Sequence, residues 1–361
     1  MKKPIYFKQL DALRFIAFFL VFWHHGFQSV FADLFTSHFA QRVVFALTTT
    51  GGVGVHVFFV ISGFLITYLM IREKESTGKV SVPFFYVRRI LRIWPLYYFV
   101  MIIGIWVLPL VSNTFLFRGS IPLNLTFLNN FDHTPNISTN VGVGWSVAIE
   151  EQFYLFWPLI FVLAANYRRL LWVSLSLYLI SVTYVIIYKY DAYEASLGNL
   201  LYLMTGCMGA ILYSQKDEFA ALFRNKSVLW VTVVSAISLL ILKEVYSPLY
   251  YPALILLPAC YLYWIIYAVD QGSDNGPVSN LFAYLGKYTY GMYLFHPILI
   301  TGTKIAFDKL SLNYTQNKGV AVATGIVALL LTIVVAILSY ELVEKRILTL
   351  KERFAFIKTR I

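Results

Sequence analysis

DALRFIAFFLVFWHH, residues 11–25, decides how this chain is read. It opens a long apolar run, yet it carries Asp11, Arg14, His24 and His25. Arg14 and His25 are eleven residues apart. At about 100° per residue they fall within about 20° of each other on a helix, about 16 Å apart along its axis. Asp11, one turn before Arg14, lies near the same face. His24 points about 100° away and reads as structural or interfacial. A charge on a membrane helix is costly, so it usually faces a bundle interior or a water-filled cavity and marks function.

The rest of the chain agrees that this helix crosses a membrane. Of 361 residues, 59% are hydrophobic, 18% aromatic and only 13% charged, whereas soluble domains run near a quarter charged. Ten apolar runs approach the length that spans a bilayer: 10–31, 43–71, 94–111, 144–165, 170–188, 196–214, 228–243, 249–269, 281–302 and 318–340. The expected fold is all-α, a polytopic membrane bundle of about ten helices. The net charge of +11 is spread among the gaps between runs, which argues against nucleic acid and for membrane lipid as the partner. With the N-terminus cytoplasmic, twenty-two of the 29 Lys and Arg fall on the cytoplasmic side, as positive-inside bias requires of a protein with both termini inside. The eighth and ninth connections fit this alternation least: one is acidic, and the other holds three lysines on the opposite side. A transmembrane domain over 1–345 and a short basic cytoplasmic tail over 346–361 are expected. The N-terminal run reads as a retained helix, since Asp11 and Arg14 interrupt it and no small-residue cleavage site follows. The two cysteines, Cys207 and Cys260, are far apart and form neither a disulfide framework nor a metal motif.

Four further stretches carry polar groups in apolar surroundings. GGVGVHVFFVISGFLIT, 51–67, has glycines for a bend or close approach, His56 at a depth near that of His25, and Ser62-Gly63 for close helix packing. FFYVRRILRIWPLYYF, 84–99, holds Arg88, Arg89 and Arg92. These either follow the positive-inside rule and bind anionic lipid, or clamp an anionic ligand such as a phosphorylated cofactor, for which the guanidinium fork is suited. WSVAIEEQFYLFWP, 145–158, has adjacent Glu150 and Glu151 facing different ways. One could orient or charge-balance a histidine, or both could answer a helix dipole. In YLGKYTYGMYLFHPILI, 284–300, Pro297 frees a backbone carbonyl one turn back for His296 or a neighbour; His296 reads as structural. His25 is the side chain suited to take and return a proton near neutral pH, or it hydrogen-bonds a neighbouring backbone, as buried polar groups do.

Taken in order, these stretches resemble acyltransferase family 3, bacterial membrane O-acyltransferases of lipopolysaccharide, exopolysaccharide and peptidoglycan, with relatives that acylate small molecules. The resemblance runs from DALRF to LSYELVE. Arg14 and His25 match the family's Arg-x10-His, Ser62 to Leu65 its Ser-Gly-Phe-Leu, and Arg88, Arg89 and Arg92 its RRxxR. Trp145, Ser146, Glu150, Gln152, Phe153 and Tyr154 match its Trp-Ser…Glu…Gln-Phe-Tyr element, and Tyr290 to His296 the late Tyr-Gly-x-Tyr-Leu-x-His. Many relatives have Asp where His56 stands. The resemblance implies His25, Arg14 and Glu150 as catalytic residues and Arg88, Arg89, Arg92 and Ser62 as donor-binding residues. Asp11, His56, Trp145, Tyr154 and His296 support them. It implies no metal and no resident cofactor, but acyl-CoA (acetyl-CoA first) as co-substrate and a sugar or polysaccharide hydroxyl as acceptor, in the inner membrane. His25 is then a general base or is itself acylated. A short form without a C-terminal esterase-like domain is expected. The rival reading is a secondary transporter of an anionic or sugar-type substrate, which also combines intramembrane His, Arg and Glu with Gly- and Pro-broken helices.

Overall fold

The computed structural model describes residues 5–31, 38–48, 51–111, 117–134, 139–215, 217–270, 276–312 and 317–356. Lys2, Lys3, Lys216, Lys358 and Arg360 of the charge count lie outside them, as do parts of the long connection 112–143 and of the acidic eighth one. The described residues fold as a polytopic helical membrane bundle. Nine helical stretches among them are long and apolar enough to cross a bilayer.

The helices that build the site are α1 (Lys8–Phe31), α2 (His38–Thr48), α3 (Gly51–Thr77) and α4 (Val82–Ile102). Then come α5 (Gly144–Leu163), α6 (Tyr167–Tyr188), α7 (Ser196–Gln215), α8 (Lys226–Val245) and α9 (Tyr250–Asp270). The chain closes with α10 (Pro277–Gly286), α11 (Thr289–Lys309), α12 (Lys318–Ser339) and α13 (Lys345–Lys351). Helix α11 has the length of a span but is not among the nine. It carries Thr289, His296, Thr301, Thr303 and Lys304, and its middle is buried in protein, so it can be more polar than helices that face lipid.

Two features depart from the expected boundaries. Helix α3 runs to Thr77 and α4 starts at Val82 behind Ser81, with a proline in the first turn, where proline costs no hydrogen bond. The connection expected over 72–93 therefore shrinks to 78–81, and Arg88, Arg89 and Arg92 sit on the spanning helix itself. The described residues after α12 pack back onto the bundle. A π-helical turn, Tyr340–Glu344, carries α12 into α13, and the rings of Phe354 and Phe356 lie 5.5 and 5.6 Å from Phe84 at the start of α4.

Helix α1 is held in place by close backbone approaches on two sides. A Cβ at Gly54 of α3 would collide with the carbonyl oxygen of Ala17, and one at Gly286 with that of Asp11. Small residues at such crossings let membrane helices pack through van der Waals contact. Any larger side chain at either glycine would push α1 away and move both Arg14 and His25.

Candidate active site

At one end of α1, two histidines meet that are 271 residues apart in sequence: His25 Nδ1 lies 2.7 Å from His296 Nε2. The reason is local to α11. Pro297 has no N–H, so the carbonyl four residues earlier, that of Tyr293, lacks its helical donor. His296 Nδ1 takes that carbonyl at 2.7 Å. A carbonyl only accepts, so Nδ1 of His296 carries the proton; in the neutral ring Nε2 is then an acceptor. His25 Nδ1 must therefore donate to it, which leaves His25 Nε2 with a free lone pair. His296 is fully buried at 0% exposure, while His25 is exposed. Tyr293 is fixed in turn by its hydroxyl, 2.6 Å from Ser146 Oγ. The Tyr-Leu-x-His-Pro and Trp-Ser segments thus combine to select one tautomer of His25.

At the other end of α1 a cavity of about 890 Å³ opens among Lys8, Arg14, Arg89, Arg92, Lys287 and Lys351. Asp11 and Glu344 are its carboxylates. Asp11 already accepts from Arg14 at 2.7 Å, and Glu344 from Ser339 Oγ at 3.0 Å. The walls gather the start of α1, the end of α3, the start of α4, the end of α9 and the segment after α12. These are the ends that the charge alternation places on one side of the membrane. Six cations thus stand against two acids in its lining.

Between the two ends lies a buried polar cluster. Ser62 Oγ donates to Glu150 Oε1 at 2.5 Å, and Tyr154 Oη donates to Ser62 Oγ at 3.3 Å. The guanidinium of Arg89 lies 5.6 Å from the Tyr154 ring. Glu150 therefore holds Ser62 and contacts neither histidine. Its neighbour Glu151 faces elsewhere and accepts from Trp94 Nε1 at 2.8 Å. Ser62 is one turn from Leu65, which lines the cavity; His25 itself does not line it. Phe18, one turn beyond Arg14, is fully buried with its ring 6.0 Å from His296. The cavity thus stops short of His25, with Phe18 packed between them.

The structure divides the other expected residues. Arg89 and Arg92 line the cavity; Arg88 does not. Arg88 is bound to Glu73 at 2.9 Å and donates to the Phe354 carbonyl at 2.7 Å. His56 stacks on Tyr202 at 3.8 Å and lies against Tyr193. Trp145 packs 5.1 Å from the same tyrosine. His56 thus belongs to an aromatic cluster separate from His25. The carbonyl that sequence reading expected Pro297 to free, without naming its residue, is that of Tyr293, four residues back. Sequence reading passed over Lys351, for which no periodic pattern gives a signal.

No solved structure matches this chain. The peptidoglycan O-acetyltransferase OatA of Listeria monocytogenes is 25% identical over 342 residues, 84% of this chain and 52% of the relative. A Bacillus subtilis protein provisionally named as peptidoglycan O-acetyltransferase YrhL is 26% identical over 336 residues, 83% of this chain and 51% of that one. The chain thus spans about half the length of both. The acyltransferase family 3 profile, described as "Acyltransferase domain", matches residues 7–341. Its match covers the histidine pair, the buried cluster and most of the cavity, and this chain belongs to that family.

Proposed function

We propose that this chain is a membrane O-acetyltransferase that moves the acetyl group of cytoplasmic acetyl-CoA to a hydroxyl of a cell-surface polymer of the peptidoglycan type. It works in the inner membrane with both termini cytoplasmic. The observation that carries the reading is the line His25–His296–Tyr293, which leaves one imidazole nitrogen unprotonated at an exposed position. Acetyl transfer and the polymer class follow the names of the two relatives.

In this reading the phosphates of the donor lie among Arg14, Arg89 and Arg92. The about 16 Å from Arg14 to His25 is close to the reach of a pantetheine arm. His25 Nε2 takes the proton of the acceptor hydroxyl as its oxygen attacks the thioester carbonyl. The C–S bond breaks, the ester forms, and the sulfur leaves with the proton that His25 returns. His296 accepts the Nδ1–H bond throughout and so stabilises the imidazolium that forms. An acyl-histidine route would start from the same lone pair.

Reconstituted wild-type protein given labelled acetyl-CoA and a glycan-strand acceptor is expected to yield labelled ester. His25→Ala is expected to yield about a thousandfold less while binding CoA as before. Wild-type vesicles that label no acceptor but move labelled glycan across the bilayer without acetyl-CoA would favour the transporter reading.

A further inference from the structure

The cavity's cations are not all matched by acids. Arg14 has Asp11, and Lys287 lies 3.6 Å from Glu341. Arg89, Arg92 and Lys351 have no ion pair among the described residues, and Arg89 Nε is buried with no hydrogen-bond partner. Lys351 is 7% exposed and lines both the large cavity and a small one beside it that also touches Arg88 and Arg89. A lysine buried beside arginines is costly unless an anion joins them.

What places Lys351 there is specific to the end of the chain. Helix α13 puts Leu348 and Lys351 on one face, one turn apart, and both are buried. Past α13, the Phe354 carbonyl caps Arg88, which Glu73 holds from the other side, and Phe354 and Phe356 pack on Phe84. The segment is pinned over the RRxxR arginines by that hydrogen bond to Arg88, itself held by Glu73, and by the ring contacts with Phe84. All of it lies beyond the residues that the family profile matches, 7–341.

We infer that Lys351 is a donor-binding residue, and that α13 with the turn behind it forms a wall of the phosphate site, completing with Arg89 and Arg92 a three-cation cradle for a phosphate group of acyl-CoA. The inference rests on the acyl-CoA reading of the cavity. Phosphate-bearing lipid headgroups share this chemistry, so the test separates the two sources. CoA binding is measured on wild type, Lys351→Gln and Lys351→Arg in nanodiscs of zwitterionic lipid, with and without added anionic lipid.

Expected in zwitterionic discs is binding about tenfold or more weaker in Lys351→Gln, the scale of one lost charge-assisted hydrogen bond, with most of it recovered in Lys351→Arg. CoA is also expected to slow tryptic cleavage at Arg346, Lys351 and Arg353 in the wild type. Equal binding by wild type and Lys351→Gln overturns the inference alone. A Lys351→Gln defect seen only with anionic lipid present also overturns it, by assigning the lysine to lipid. A wild type that binds no CoA overturns the acyl-CoA reading itself.

Discussion

The two ends of α1 solve opposite problems. At the histidine end, hydrogen bonds set the arrangement: three of the four ring nitrogens of His25 and His296 are committed, and the fourth is left bare. At the cationic end, charge is abundant and pairing is incomplete: Arg89, Arg92 and Lys351 line the cavity and make no ion pair among the described residues. A proton acceptor needs a fixed tautomer and little competing charge, whereas a phosphate site needs cations not already neutralised. One helix carries both because its period returns to the same face after eleven residues.

The largest effect is expected at the bare nitrogen. In His25→Ala the turnover should fall about a thousandfold, within the usual range for loss of a general base. Steady-state transfer assays check the turnover, and CoA affinity measured in parallel should hold. If affinity fell as well, the two ends would not be separable and the division drawn above would break.

His296 comes next, because it acts through His25. His296→Ala should lower kcat about ten- to hundredfold, as loss of an orienting hydrogen-bond partner does, with KM for the donor little changed. His296→Gln keeps a side-chain oxygen able to accept from His25 Nδ1 and should recover part of the rate. A merely structural histidine would show no such rescue, and kcat measured across the two variants distinguishes the cases.

At the cationic end the expected changes move to KM. Arg92→Gln should raise KM for acetyl-CoA about tenfold, the scale of one hydrogen bond to a charged group, and leave kcat nearly intact. Kinetics at two ionic strengths sharpen the test, since the wild type's KM should rise with salt more steeply than the variant's.

The same contrast explains which parts were legible in the sequence. The face shared by Arg14 and His25 follows from helix period alone, and the crossing at Gly54 follows from a glycine in an apolar run. The half of the relay inside α11 was also readable, because Pro297 must leave the Tyr293 carbonyl free. The meeting of His25 with His296 was not, since a contact across 271 residues is set by how α1 and α11 pack. Glu150 shows the same limit: adjacency to Glu151 left open which of the two could orient a histidine, and packing gave Glu150 Ser62 instead. Ten apolar runs were read where nine helical stretches among the described residues pass on length and composition. The one that fails, α11, owes its polarity to burial in protein. Arg88 and Arg92, one turn apart, looked equivalent, yet Glu73 and the Phe354 carbonyl separate them.

That separation gives the smallest prediction. If Arg88 touches no donor and serves by pinning the C-terminal turn, Arg88→Gln should raise KM for acetyl-CoA by only about threefold, less than one charge-assisted hydrogen bond supplies. The same change leaves Glu73, 5% exposed, without its ion pair, so thermal stability should drop measurably. The decisive comparison is a double-mutant cycle with Lys351→Gln. Residues that act through one another are not additive, so the double variant should bind acetyl-CoA no more weakly than Lys351→Gln alone. Fully additive losses would mean that Arg88 reaches the donor by itself, and that all three arginines of α4 belong to one clamp.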